Sequence, residues 1–496
     1  MVETKLDAAK VAPAIALTVH ATLRRSFREN SMKMFLRCHL FVVLVLVSLQ
    51  TQAQNSRISP ELAKRIDEVA TQELAARGVP SASVGVVQNG QIVYLQAYGM
   101  ARIESHTAAR PEMRYSIGSV SKQFTAMAIL LLAEQGKLSI DDPVSRFLPS
   151  LTRAKEVTIR QLLSHTSGYQ DYWPQDYVPP FMLKPVKAEE ILDRWARKPL
   201  DFNPGTKWQY SNTNFVIAGL IVEKASGLPF FQFIQSKLFA PLGMKSVLNI
   251  DQKHLGDTDA TGYMRYGLGP ARIAPKEAKG WLFAAGELAM STEDLAKWDI
   301  AMMNQVLLKP ESYRVMETQT CLKNGLCTGY GLGIDVKEFQ GHRVWSHGGE
   351  VSGFTTHNAV FPDDRAAVIV FINQDSGGTP SAIAYGIAPL LFAPVAQNGA
   401  VERDHKIFEG LQQGTIDRTL FTANANSYFT DQALQDFASG LSPLGPLSSF
   451  VQTSQEDRGG MTFHAYSAKF RDRGVEVWVR EMPDGKIEQY QVSASD

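Results

Sequence analysis

Residues 118–136 read GSVSKQFTAMAILLLAEQG. A helix is expected here from about Ser119 to Gln135, with Phe124, Met127, Ile129 and Leu130–Leu132 as its apolar side and Gly136 as its stop. Ser119 and Lys122 sit three apart at its start. Positions i and i+3 share one helix face, so the lysine amine can approach the serine hydroxyl. A serine hydroxyl is a poor nucleophile until a neighbour takes its proton. A lysine does this only when burial or nearby cations bring its pKa toward working pH. The helix start also aims backbone N–H groups at the region where an oxyanion forms. Alone, S-x-x-K fits a capped surface helix equally well, so its companions decide.

Strand signals lie on both sides of this helix. Ser81–Val87 and Gln91–Ala97 flank Asn89-Gly90, a strong hairpin signal, and residues 58–77 before them carry a helical apolar pattern. Further strands are expected at Tyr330–Val336, Arg343–Ser346, Thr355–Phe361 and Ala367–Ile372, followed by a helix near Ser381–Leu391. Residues 137–300 read as helical pieces and loops. Strands early and late around a helical block imply an α/β (α+β) fold over residues 58–392. Its core is one antiparallel sheet built from both ends, flanked by helices, with a helical subdomain inserted. Residues 393–401 (APVAQNGAV) read as a linker. Residues 402–496 read as a small α+β domain of unknown role. It has helical patterns near 404–414 and 430–439, and turns at Gly459-Gly460, Arg473-Gly474 and Asp484-Gly485 between strands.

The chain has 496 residues, which favours more than one domain. Lys+Arg and Asp+Glu are both 50, so no field of one sign marks it for nucleic acid or an anionic membrane. Met32–Arg37 is a short positive region, Leu40–Leu49 an apolar run, and Thr51-Gln52-Ala53 a small-residue stretch. That order reads as a signal peptide over 32–53, cut after Ala53, and so as export to a periplasm or the exterior. The apolar run is too short to span a bilayer, so no stable membrane span is expected after processing, an uncleaved membrane anchor being the alternative. Residues 1–31 read as an extended or misassigned start. Of the three cysteines, Cys38 lies in the signal, while Cys321 and Cys327 flank a turn-like segment and are either bridged or free thiols. No zinc-ligand spacing, H-E-x-x-H or G-x-S-x-G occurs, and no cofactor is expected.

Tyr210-Ser211-Asn212 and His347-Gly348-Gly349 follow the S-x-x-K in order. Together they resemble the three signature elements of the penicillin-recognising serine hydrolases. The Y-x-N form of the second element resembles the class C β-lactamase and D-alanyl-D-alanine carboxypeptidase group. Leu162–Gly168 (LLSHTSG), Phe202–Gly205 leading into Tyr210, Ala285–Leu288 with Ser291–Leu295, and Tyr330–Gly333 (YGLG) resemble other segments of that group. The resemblance spans roughly residues 60–392 and implies a β-lactamase/transpeptidase-like fold. It implies acyl transfer to water through an acyl-serine, on a small-molecule, peptide or cell-wall-derived substrate with a peptide, ester or β-lactam acyl group. Ser119 is then the nucleophile, and Lys122 and Tyr210 share the base work, the tyrosine favoured as phenolate beside the lysine. Asn212, His347 and Gly349 would bind substrate. The backbone N–H groups of Ser119 and Glu350 would form the oxyanion hole. The group's lactamases carry lysine at the place of His347, which weakens the expected hold on a carboxylate. A penicillin-binding sensor or binding module that acylates without turnover is the alternative. His165 reads as structural, and Tyr169, Tyr172, Trp173 and Tyr177 either line an acyl-side pocket or pack together.

Overall fold

The computed structural model describes residues 58–392, 399–458, 460–471 and 473–494. The expected leader at 32–53, the residues before it and Cys38 lie outside the described residues. The described residues from Ser59 onward form one compact unit.

Helix α1 (Pro60–Arg77) starts where Ser59 Oγ accepts the Leu62 N–H at 3.1 Å, and it ends at Gly78 in the left-handed region (φ 62°). Strands β1 (Ser81–Gln88) and β2 (Gln91–Arg102) pair as a hairpin. Asn89 and Gly90 have φ of 54° and 72°, as a two-residue turn with both central residues left-handed demands. A short β3 (Thr107–Ala108) follows. The middle of the chain holds α2 (Lys122–Glu134), α3 (Asn212–Ser226) and α4 (Thr292–Met303). Strands then return as β4 (Asp335–Phe339), β5 (His342–Val351), β6 (Phe354–Phe361) and β7 (Ala366–Ile372), before helix α5 (Thr379–Leu391).

These strands form one seven-stranded sheet in the order β3-β2-β1-β7-β6-β5-β4, with antiparallel neighbours. The join between β1 and β7, with Val84 opposite Val370, ties the two ends of the domain together. Helices α1 and α5 cover one face and α4 the other. Both central strands are therefore buried on both faces, which explains their unbroken small and apolar sequences. In the inserted block, α2 and α3 pack on each other. Residues 122–130 of α2 and 213–222 of α3 are all buried, polar ones included.

The structure departs from the sequence reading in three places. The expected strand from Tyr330 begins only at Asp335. Residues 330–334 reverse tightly, with the Gly331 N–H donating to Ile334 O at 2.9 Å and Gly333 at φ 74°. A Cβ on Gly331 would lie 2.2 Å from Met316 O, so this glycine serves close packing, not pairing. The expected linker is helical from Gly399, while 393–398 lie outside the described residues. The helix expected from Ser119 opens with a 3-10 turn, Gly118–Ser121, and becomes α-helical at Lys122. Cys321 and Cys327 are joined by a disulfide.

Toward the C-terminus, α6 (Gly399–Gln412) and α7 (Asp431–Leu441) precede β8 (Ser449–Arg458), β9 (Met461–Lys469), β10 (Gly474–Glu481) and β11 (Ile487–Ala494). The four strands make an antiparallel sheet in sequence order, over a separate core that includes Phe408, Tyr466, Val477 and Ile487. Buried Asp404 accepts the Tyr466 hydroxyl at 2.7 Å and the Arg403 Nε–H at 2.8 Å there.

Candidate active site

Ser119 sits in the turn that carries the chain from Tyr115–Ser116 into α2. The turn is pinned on two sides. The Ile117 N–H donates to Leu288 O at 2.9 Å, and Thr356 Oγ1 donates to Ile117 O at 2.9 Å. Gly118 has φ 51°, and a Cβ there would meet the Glu350 nitrogen at 2.6 Å. Only glycine allows the turn that carries Ser119 to lie this close to β5.

Lys122 is fully buried, because α2 runs through the interior of the domain. Its Nζ lies 2.9 Å from Ser119 Oγ, 2.8 Å from Asn212 Oδ1 and 2.9 Å from Ala285 O. Burial pushes its pKa from 10.5 down to about 7, with Asp171 pulling the other way. Tyr210 presents its ring with the centroid 5.0 Å from Nζ, and its hydroxyl is hydrogen-bonded to Ser119. Here the expectation of a phenolate fails. Burial holds the Tyr210 hydroxyl well above its ordinary range, and the neighbouring amine is itself too desolvated to offset this. The His165 ring lies 4.2 Å from the Tyr210 ring at 34°. Its Nδ1 accepts the Ser211 N–H at 3.1 Å, so His165 fixes the segment that carries Tyr210.

Asn212 begins α3, and its side chain is held from both ends. Oδ1 accepts from Lys122, while Nδ2 donates to Asp171 Oδ2 at 3.2 Å. The Asn212 backbone N–H donates to Asp171 Oδ1 at 3.0 Å. Ser211, at the capping position of this helix, makes no side-chain cap. The Asp171 carboxylate takes over that task from a distant loop.

The third element lies on β5. Ser352-Gly353 form the two-residue turn to β6, with Val351 opposite Phe354. In such a hairpin the backbone groups of Val351 and Gly349 face β6, and those of Glu350 and Gly348 face the other edge. Strand β4 covers that edge only as far as Ser346. The Glu350 N–H is therefore aimed at the open edge, where Gly118 and Ser119 lie. Gly349 is crowded from below, since a Cβ there would meet Ile117 O at 1.9 Å. His347 is buried, with Nδ1 at 2.5 Å from Gly348 O and Nε2 at 2.9 Å from Tyr330 Oη. A carbonyl only accepts, so Nδ1 carries the proton and Nε2 accepts the Tyr330 hydroxyl. Burial pushes the ring's pKa down to about 4. It is a neutral, doubly satisfied imidazole, and neither nitrogen is left over for an anion.

A cavity of about 730 Å³ opens over these groups. Ser119, Tyr210 and Asn212 line it, and Tyr172, Trp173, Tyr177 and Met182 give it an aromatic and apolar wall. Tyr169 is not part of that wall; it is buried, with its hydroxyl on Thr152 O at 3.0 Å. Glu350 and Asp375 also line the cavity, and no Lys or Arg is among the lining residues. Sequence reasoning missed Asp171, Tyr330 and Asp375. Asp171 stands beside the LLSHTSG segment and Tyr330 opens the YGLG segment, so their places were marked, but no spacing rule ties either to Asn212 or His347. Among the described residues no group of His, Cys, Asp and Glu is arranged to hold a metal ion.

The family model described as Beta-lactamase matches residues 66–390. The chain is 29% identical over 308 residues to penicillin-binding protein 4* of Bacillus subtilis, covering 59% of this chain and 68% of that one. It is 30% identical over 311 residues to the D-aminopeptidase of Brucella anthropi, covering 60% of this chain and 57% of that one. The solved octameric penicillin-binding protein homologue from Pyrococcus abyssi superposes with a TM-score of 0.62 at 23% identity, covering 88% of this chain and 96% of that one. The likeness to the last is one of fold.

Proposed function

We propose a function from the premise that the chain belongs to the Beta-lactamase family and is one of its serine hydrolases. We infer that it cleaves an amide or ester bond through an acyl-serine at Ser119, and that neutral or amine-bearing acyl groups suit it better than carboxylate-bearing β-lactams. The observation that carries this reading is the setting of Lys122. Two of its three partners, Asn212 Oδ1 and Ala285 O, are carbonyl oxygens that can only accept. A neutral amine has two N–H groups and one lone pair. The carbonyls take the two N–H groups, and the lone pair is left facing the Ser119 hydroxyl. With its pKa near 7, Lys122 is substantially neutral at working pH.

In this reading Ser119 Oγ attacks the acyl carbonyl while its proton passes to Lys122 Nζ. The N–H groups of Ser119 and Glu350 receive the oxyanion. Tyr210, kept as a protonated phenol, hands a proton to the leaving nitrogen or oxygen and is reprotonated from Lys122. Water then attacks the acyl-serine, giving up a proton to the same pair, and Ser119 regains its hydrogen. Substrate preference rests on the cavity, which is lined by the acidic residues Glu350 and Asp375 and by a neutral His347, with burial pushing the Asp375 pKa up to about 7. The relative named D-aminopeptidase supports the same direction. Export belongs to the proposal through the leader at 32–53, as does a non-catalytic role for residues 402–496.

The test uses a chromogenic ester, an amino-acid p-nitroanilide and a fluorescent penicillin on the wild type and Ser119→Ala. Turnover of the first two, lost with covalent labelling in a folded Ser119→Ala protein, supports the reading. Turnover that survives in Ser119→Ala overturns it. A stable penicillin label with no turnover of any substrate makes the chain a sensor instead.

A further inference from the structure

Asp171 lies outside the three signature elements, yet two of its contacts are to Asn212, the residue that holds Lys122. Its Oδ1 accepts the Asn212 backbone N–H at 3.0 Å and the Trp173 N–H at 3.3 Å, and its Oδ2 accepts Asn212 Nδ2 at 3.2 Å. We propose that Asp171 is a positioning residue that fixes which way round the Asn212 amide stands, and thereby aims the Lys122 lone pair at Ser119. This rests on the acyl-serine reading above.

An amide can present either its oxygen or its NH2 to a neighbour. A carboxylate offers only acceptors, so the Asn212 NH2 must face Asp171 and the oxygen must face Lys122. Were the amide reversed, its NH2 would face the Lys122 amine. The neutral lone pair would then be drawn to that NH2, and the serine would lose its base. The same carboxylate ties in the backbone of Trp173, and both Tyr172 and Trp173 line the substrate cavity. A substrate seated on that aromatic wall therefore touches the loop that orients the base.

A second consequence is electrostatic. The titratable groups facing Lys122 are Asp171 on the aromatic loop, His165 within the LLSHTSG segment, Tyr210 before α3 and His347 on β5. Burial keeps both histidines neutral and the tyrosine protonated, so Asp171 is the one anion in this set. Burial pushes the Asp171 pKa up to about 6, which leaves it charged above that pH. Its charge favours protonated Lys122, against the effect of burial.

The experiment compares wild type, Asp171→Asn and Asp171→Glu on a neutral chromogenic ester across pH 5–9, with thermal melts of each. Asp171→Asn keeps the shape but sets an NH2 against the Asn212 amide. It is expected to lower kcat at least about tenfold with little change in KM. It should also move the acid limb of kcat/KM about one pH unit lower, since removing a nearby anion favours neutral lysine. Asp171→Glu restores the charge but displaces the oxygens, so kcat falls while the limb stays at the wild-type pH. A purely structural role would lower the melting temperature and leave the limb of the folded enzyme in place. The proposal is overturned if Asp171→Asn matches wild type in kcat or keeps its acid limb. Should Asp171→Asn not fold, an Asp171→Glu enzyme with wild-type kcat overturns it equally. A wild type that neither turns over the ester nor takes a serine-directed label sinks the hydrolase reading, which is a separate failure.

Discussion

Gly349 passes so close to Ile117 that a Cβ built on the glycine would lie 1.9 Å from the Ile117 carbonyl oxygen. Ile117 belongs to the segment that carries Ser119, and Gly349 precedes the Glu350 N–H. The distance between Ser119 and the Glu350 N–H is thus set by a backbone contact that no side chain can share. On the other side, Gly118 is equally constrained, with its missing Cβ 2.6 Å from the Glu350 nitrogen.

Gly349→Ala should therefore push β5 away from the nucleophile turn. Losing one oxyanion donor of this kind costs about 10²–10³ in kcat. Forcing one methyl into a packed contact costs about 1–3 kcal/mol of stability. Ester kcat and a denaturation curve measure both. An alanine variant within about threefold of wild-type kcat would show that this contact does not set the oxyanion geometry.

The pH profile follows from Lys122. Its pKa is about 7 in the fold and 10.5 when exposed, so the neutral, active form gains ground as pH rises through 7. The acid limb of ester kcat/KM is expected near pH 7. Stability has the same sign. Between 7 and 10.5 the unfolded chain holds a proton that the folded one lacks, so folding becomes more favourable as pH rises through that window. Lys122→Met should abolish turnover and flatten this part of the stability curve. Urea midpoints at pH 7 and 9 for both proteins measure the difference, and parallel curves would contradict a depressed lysine pKa.

Tyr210→Phe separates the two candidate bases. The phenol of Tyr210 is hydrogen-bonded to Ser119 and held in its protonated form by burial. Its loss removes a proton donor, a role that contributes about 10²–10⁴-fold. The residual activity should still show an acid limb near pH 7, because that limb belongs to Lys122. A limb that disappears in Tyr210→Phe would make the tyrosine the group that takes the first proton.

The fold was legible where periodicity speaks. The Asn89-Gly90 hairpin, the apolar runs of β1 and β7 and the helix after Ser119 each carry a local pattern. The reversal at Tyr330–Ile334 was not legible, because YGLG looks like a strand and its turn depends on Met316 lying beneath Gly331. Ser119, Lys122, Tyr210 and Asn212 were found by type and order, and the structure brings them within hydrogen-bond reach around one amine and one hydroxyl. Asp171 was missed because its function depends on an amide orientation 41 positions away. The phenolate expectation failed for a related reason. It weighed a neighbouring charge and could not weigh burial.

His347→Lys tests the substrate preference. In the wild type a carboxylate entering the cavity meets Glu350, Asp375 and a neutral imidazole whose two nitrogens are already bonded to Gly348 O and Tyr330. A lysine in that place would bring a positive charge beside Ser119. Hydrogen bonds to charged groups contribute about 1.5–3 kcal/mol, against roughly 1 for neutral ones. That difference corresponds to about tenfold in a rate constant. The replacement also breaks the link to Tyr330, which lowers activity toward every substrate. The informative quantity is therefore the ratio of kcat/KM for a cephalosporin to that for a neutral ester, measured in both proteins near pH 7.5. The wild type should favour the ester, and His347→Lys should raise the ratio about tenfold. A wild type that hydrolyses the cephalosporin faster, with a ratio unmoved by the substitution, would mean that His347 does not set specificity and that a β-lactam is the better substrate.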